Sequence, residues 1–161
     1  TRVYILAMSY KLHDPITEDD LKRFSKHLPD SANDLIRLLG MDDAIKLFNS
    51  LSGAQISIPR SPCSRQAKWQ WKYISNILGS HAMKKLASEY GGTVLDISVL
   101  NALRIERRSY HIVAAFDALT AKEPKGKGYS RALATVHISL EHVPITCRQV
   151  ANIIDRYVYT P

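Results

Sequence analysis

Apolar positions between Leu38 and Arg60 change period once. Met41, Ala44, Ile45, Leu47, Phe48 and Leu51 keep helical spacing, whereas beyond Ser52-Gly53 the residues Ala54, Ile56 and Ile58 alternate with Gln55 and Ser57. The first pattern predicts a helix with one apolar face, and the second a short strand with one apolar and one polar face. Gly40 closes the preceding segment, Asp42 and Asp43 suit the positive end of the helix dipole, and Pro59 removes a ladder donor and stops the strand.

The same pattern returns at Leu78–Ile97. Leu39 matches Leu78, Gly40 matches Gly79, Lys46 matches Lys85, Leu47 matches Leu86, Gly53 matches Gly92 and Ile58 matches Ile97, all at an offset of 39 residues. A constant offset through a helix, a glycine turn and a strand predicts two copies of one unit, each burying the other's apolar face, with their strands paired as a pseudo-two-fold ribbon.

Around the repeats the pattern is helical. Val3–Leu6 reads as an edge strand or arm, and Thr17 before Glu18-Asp19-Asp20 reads as an N-cap for a helix carrying Leu21, Phe24 and Leu28. Pro29 is expected to close that helix and Ser31 to cap the next. In Arg65–Leu78 the apolar stripe is expected along Trp69, Tyr73 and Ile77 with Ile74 and Leu78, and Arg65, Lys68, Trp71 and Lys72 on the other face. Val99–Leu119 lacks Gly and Pro and predicts the longest helix, with Arg104, Arg107, Arg108 and His111 sharing a basic face. Lys122–Gly128 reads as a basic, flexible linker.

Thr135–Ile154 predicts two helices and a tight turn, with Val136, Leu140 and Val143 packing before it, Ile145 within it, and Val150, Ile153 and Ile154 after it. This is a helix-turn-helix pattern. Thr146 would cap the second helix and leave Arg148, Gln149 and Asn152 outward at its start, where arginine pairs with guanine and Asn or Gln with adenine. The candidate base-reading set is therefore Thr146, Arg148, Gln149 and Asn152, with Lys125, Lys127, Arg131 and Arg156 as phosphate contacts. Pro144 stands where a turn glycine would be expected, and Leu140 where a small residue would let the helices approach.

Composition sharpens this picture. Residues 1–53 hold seven Lys/Arg against eight Asp/Glu, residues 54–98 six against two, and residues 99–161 nine against five, for a net charge of +7. A basic surplus that begins at the first strand suits a polyanion partner. No apolar run approaches a membrane span, so a cytoplasmic protein with no membrane partner is expected. Two cysteines, Cys63 and Cys147, give neither a disulfide framework nor a zinc motif, and buried or bystander thiols are expected. Asp96, Glu106 and Asp117 are scattered acids without a metal-ligand pattern or a nucleophile–base pair, which disfavours a nuclease. No enzyme activity, metal or cofactor is expected.

Leu28–Gly40, the Met41–Leu51 helix and Ser52–Arg60, with Thr146-Cys147-Arg148-Gln149-Val150 near the end, resemble the Mor/C family of phage middle- and late-gene transcription activators. The resemblance covers roughly residues 28–118 and 130–157. It implies a mainly α fold with a two-stranded β ribbon, a dimerisation region duplicated over 1–118 (repeats near 31–60 and 70–99), a linker at 119–131 and a helix-turn-helix at 132–161. It also implies duplex DNA as partner, a homodimer or internal pseudo-dimer, RNA polymerase as a further candidate partner, and DNA contacts from Gln55, Ser57 and Arg60 on the strand. This chain departs from the family pattern at Ser52 and Ser57, and its second copy ends Ile97-Ser98 without Pro-Arg. The competing expectation is a protein-binding inhibitor or adaptor that keeps the scaffold without reading DNA.

Overall fold

The helix, glycine turn and strand form, and they form twice. A computed structural model describes residues 14–122, 124–142 and 144–158. The Val3–Leu6 strand and the packing role of Val143 lie outside the described residues. The fold is mainly helical with one small antiparallel ribbon: α1 (Glu18–Arg23), a 3-10 turn, α2 (Asp30–Leu39), α3 (Met41–Ser50), β1 (Gln55–Ile58), α4 (Arg65–Leu78), α5 (Ser80–Tyr90), β2 (Thr93–Asp96), α6 (Asn101–Thr120), α7 (Arg131–Glu141) and α8 (Cys147–Val158). The chain divides into two compact units, Pro15–Leu103 and a second running from Arg104 onward with Asp14. The boundary thus falls inside α6, not at 118–119.

The first unit is a duplicated motif closed on itself. β1 and β2 pair so that Ile56 lies opposite Leu95, its own equivalent 39 residues on. A local two-fold axis therefore passes through that pair. On either side of it, the Gly53 N–H donates to the Ile97 carbonyl at 2.8 Å and the Gly92 N–H to the Ile58 carbonyl at 2.7 Å. These are one hydrogen bond seen from each repeat. The helices obey the same exchange: α2 packs on α5, and α4 on α3. Gly40 (φ 88°, ψ 166°) joins α2 to α3 and Gly79 (φ 92°, ψ 161°) joins α4 to α5. Both lie in a backbone region open essentially to glycine. The core is filled by equivalent pairs, Leu35 with Ile74, Leu39 with Leu78, Leu47 with Leu86 and Ile58 with Ile97, all buried.

Two sequence expectations shift here. Pro29 does not close a helix; it stands at the N-cap of α2, where its fixed φ of −68° suits a helix start, and Ser31 lies inside. Along α4 the inward residues are Ile74 and Leu78, with Trp71 and Ile77 packed against the core, while Trp69 and Tyr73 are 65% and 46% exposed. Thr17 does cap α1: its hydroxyl accepts from the Asp20 N–H and the Asp20 carboxylate accepts from the Thr17 N–H.

In the second unit α6, α7 and α8 share a core of Ile112, Leu119, Ala134, Ile138, Ile145, Val150 and Ile154. α7 faces it differently from the sequence expectation. Val136 and Leu140 are 45% and 72% exposed, and Ala134, Thr135, Ile138 and Ser139 are buried in their place. Thr135 and Ser139 tolerate burial because their hydroxyls donate to carbonyls of their own helix, those of Arg131 (2.8 Å) and Val136 (2.9 Å). Small side chains on this face let α7 and α8 approach, so Ser139 does what Leu140 could not.

Two further expectations are corrected. The described residues of the 119–131 stretch are tied down where a free linker is expected: Lys127, Gly128 and Tyr129 donate their N–H groups to the carbonyls of Ala118, Ala121 and Leu119 at the end of α6. Gly126 sits there because a Cβ would fall 2.4 Å from the Ala118 carbonyl oxygen. Arg104 and Arg107 form no solvated face; they are 4% and 1% exposed and donate to the Asp14 carbonyl at 2.9 and 2.8 Å. Among the described residues no helix is long and apolar enough to cross a membrane.

Candidate nucleic-acid interface

α8 begins with a reciprocal cap. The Gln149 N–H donates to the Thr146 hydroxyl at 3.2 Å, and the Thr146 N–H donates to Gln149 Oε1 at 2.9 Å. This satisfies amides that would otherwise be orphaned at the helix start. Val150 and Ile154 turn into the core, so Arg148, Gln149, Asn152 and Arg156 fall on the outer arc of the helix, and all four are exposed. The cap also divides their roles. Gln149 has its carbonyl oxygen engaged and retains only its amide nitrogen as a free donor, which removes the donor–acceptor pair that adenine needs. Thr146 is likewise committed to the cap. Arg148 and Asn152 are left as the side chains that can reach base edges.

The four proposed phosphate contacts differ among themselves. Lys125 and Lys127 are exposed on the α6–α7 loop, with the Lys127 ammonium 5.7 Å from the centre of the Tyr129 ring. Arg131 pairs with Asp155 across α7 and α8, which neutralises it locally. Arg156 lies on the outer arc of α8 and lines a cleft of about 310 Å³ between α6 and α8, together with Ile105, Arg108, Gln149, Asn152 and Ile153. Helical spacing alone puts Arg108 on a surface face of α6; only the fold brings it beside residues of α8 some forty positions away.

Next to the cleft the Tyr157 hydroxyl donates to the Glu106 carboxylate. Burial, and then this bond, push the Tyr157 phenol up to about 12 from an ordinary 10.0. A folded state that holds the proton more tightly is stabilised below the ordinary value and loses that stabilisation as pH rises through the folded one. Stability of the wild type is therefore expected to fall between pH 10 and about 12 relative to Tyr157→Phe, read from denaturant midpoints. Parallel curves for the two proteins would refute it.

In the first unit Gln55 and Ser57 are exposed on the outer face of the ribbon, opposite Asp96 and Val94. They border a groove whose other wall carries Trp69 and Tyr73, stacked with ring centres 5.4 Å apart. Arg60 is exposed but turned back on the second repeat, donating Nε to the Gly91 carbonyl at 3.3 Å. Asp96 places a carboxylate beside Gln55, which disfavours close approach of a phosphate to that end of the ribbon. Cys63 and Cys147 are free and exposed. Among the described residues no group of three or more His, Cys, Asp or Glu is placed to hold a metal.

No protein-family model, curated protein or solved structure matches the chain. The functional reading therefore rests on the chain's own residues.

Proposed function

We propose that this chain is a sequence-specific duplex-DNA-binding transcription regulator of a phage or other mobile element, related to the Mor/C activators and working in the cytoplasm. The observation that carries the reading is the start of α8: a capped helix N-terminus with Arg148 and Asn152 exposed on its outer arc. The net charge of +7, the exposed Lys125 and Lys127 and the positive end of the α8 dipole support it. The ribbon pairs within the chain, which supports an internal pseudo-dimer over the homodimer, with one α8 per molecule. RNA polymerase is the partner an activator of this kind would touch.

On a sequence enriched from a random duplex library, Arg148→Ala is expected to cost about 1–3 kcal/mol and to relax preference at one base position. Lys127→Ala is expected to weaken all sequences alike and flatten the salt dependence. Equal losses on enriched and random duplex for Arg148→Ala would remove the base-reading role.

A second reading, a protein-binding inhibitor or adaptor, draws on α7. Leu133, Val136 and Leu140 are exposed at 51%, 45% and 72% along one side of that helix. Such a stripe on a helix beside the proposed reader suits a partner protein.

A further inference from the structure

The first unit exposes an aromatic pair that its scaffold does not require. Trp69 and Tyr73 stand one turn apart on the outer face of α4, stacked with their planes 10° apart and ring centres 5.4 Å apart. Their equivalents 39 residues earlier are Asp30 and Asp34, at the same places on α2, a helix that packs into the same core. The repeat therefore folds with acids where α4 carries rings. Large rings held in water without a packing role mark a surface that receives a partner.

The charge around the pair selects that partner. Arg65, Lys68 and Lys72 are exposed beside the rings on the outer arc of α4, and α4 holds no Asp or Glu. None of the three cations has an ion pair among the described residues. At the places of Lys68 and Lys72 the first repeat has Pro29 and Asn33, so rings and cations belong to one copy alone. Between the rings and β1 lies a groove of about 310 Å³, at the small end for ligand sites, with Gln55, Ser57 and Gln70 in its lining. The side chains of these three make no hydrogen bond among the described residues.

We infer that this face binds single-stranded nucleic acid, with a base stacked on the Trp69–Tyr73 pair and phosphates on Arg65, Lys68 and Lys72. Aromatic faces accept bases of any sequence, while cations spaced about one helical turn apart follow the backbone. Gln55, Ser57 and Gln70 offer donors and acceptors to the edge of a base in the groove. A duplex keeps its bases stacked on one another, so only an unpaired strand can offer a ring face here. Asp96, paired with Gln55 across the ribbon, keeps phosphates on the α4 side. The inference uses no residue of α8 and stands apart from the duplex reading.

The test uses the full chain and a short labelled oligothymidylate, with anisotropy for affinity and intrinsic tryptophan fluorescence for stacking. Binding is expected to quench Trp69 and to weaken with salt at a logarithmic slope of roughly −0.7 per phosphate contact. Trp69→Ala is expected to lower affinity about fivefold or more and to abolish the quench, because the remaining Trp71 is packed against the core. Trp69→Phe, which restores a ring, is expected to recover most of the affinity. Lys68→Gln and Lys72→Gln are each expected to flatten the slope by about 0.7. All these side chains are exposed, so the variants keep the fold. Oligothymidylate binding in a chain that binds no duplex would keep this inference and remove the regulator reading. Binding without a quench, or unchanged in Trp69→Ala, would overturn the inference by placing the strand elsewhere. Absence of oligothymidylate binding at low salt would also overturn it and leave the aromatic pair to a protein partner.

Discussion

Phe48→Ala is expected to cost about 3–5 kcal/mol, enough to leave the Pro15–Leu103 unit marginal or unfolded. Phe48 is fully buried on α3, within the first unit's core. Its equivalent in the second repeat is Ala87, only partly buried, so the ring has no large counterpart across the axis. The second repeat cannot compensate, because Ala87 has only a methyl group, too small to fill the space a lost ring would leave. Urea denaturation followed by far-UV circular dichroism measures the loss. A change below about 1 kcal/mol would mean that the ring does not hold the repeats together.

Gly40→Ala and Gly79→Ala are expected to cost about 1–3 kcal/mol each, and similar amounts to one another. At neither site would a new Cβ come within 4 Å of a side chain or backbone beyond the adjoining residues and turns, so the cost is local backbone strain. The φ of 88° and 92° with ψ near 165° is a region in which the Cβ of an L residue collides with the carbonyl of the preceding residue. Equal penalties at residues 39 apart would be the energetic counterpart of the two-fold seen in the ribbon. A severe loss at one glycine and none at the other would show that the repeats are alike in shape only.

The constant spacing from Leu39 to Ile58 and from Leu78 to Ile97 predicted the ribbon, and the Ile56–Leu95 pair places its axis at the centre. That same spacing held more than the hydrophobic pattern alone conveyed. Trp69 and Tyr73 are the equivalents of Asp30 and Asp34 on α2, whereas Trp71 corresponds to the buried Ala32. Transferring burial from one copy to the other selects the correct face of α4; choosing the largest apolar side chains does not. On α7 the same bias favoured Val136 and Leu140 over Thr135 and Ser139, whose hydroxyls are satisfied within the helix and can be buried at little cost.

The candidate site was legible in part. Thr146 and Gln149 form a cap with a local signature, Thr-x-x-Gln, and Arg148 and Asn152 follow from it as outward residues. Arg104 and Arg107 were not legible, since their acceptor at Asp14 lies ninety or more positions away in sequence. Arg131 carries the charge a phosphate contact needs, but Asp155, two turns from Arg148 on α8, meets it first. Pairing partners at long range are what a single sequence does not display.

Affinity of the full chain for a random-sequence duplex, measured from low to moderate salt, tests the regulator reading most directly. A protein that places several cations on phosphates releases one counterion for each, and its logarithmic affinity falls linearly with the logarithm of salt at a slope of roughly −0.9 per contact. The account predicts measurable binding at low salt, a slope corresponding to several contacts, and a shallower slope for Lys127→Ala. Absence of binding at low salt, or an affinity indifferent to salt, would contradict it and leave the exposed Leu133, Val136 and Leu140 stripe of α7, and with it a protein partner, as the better account.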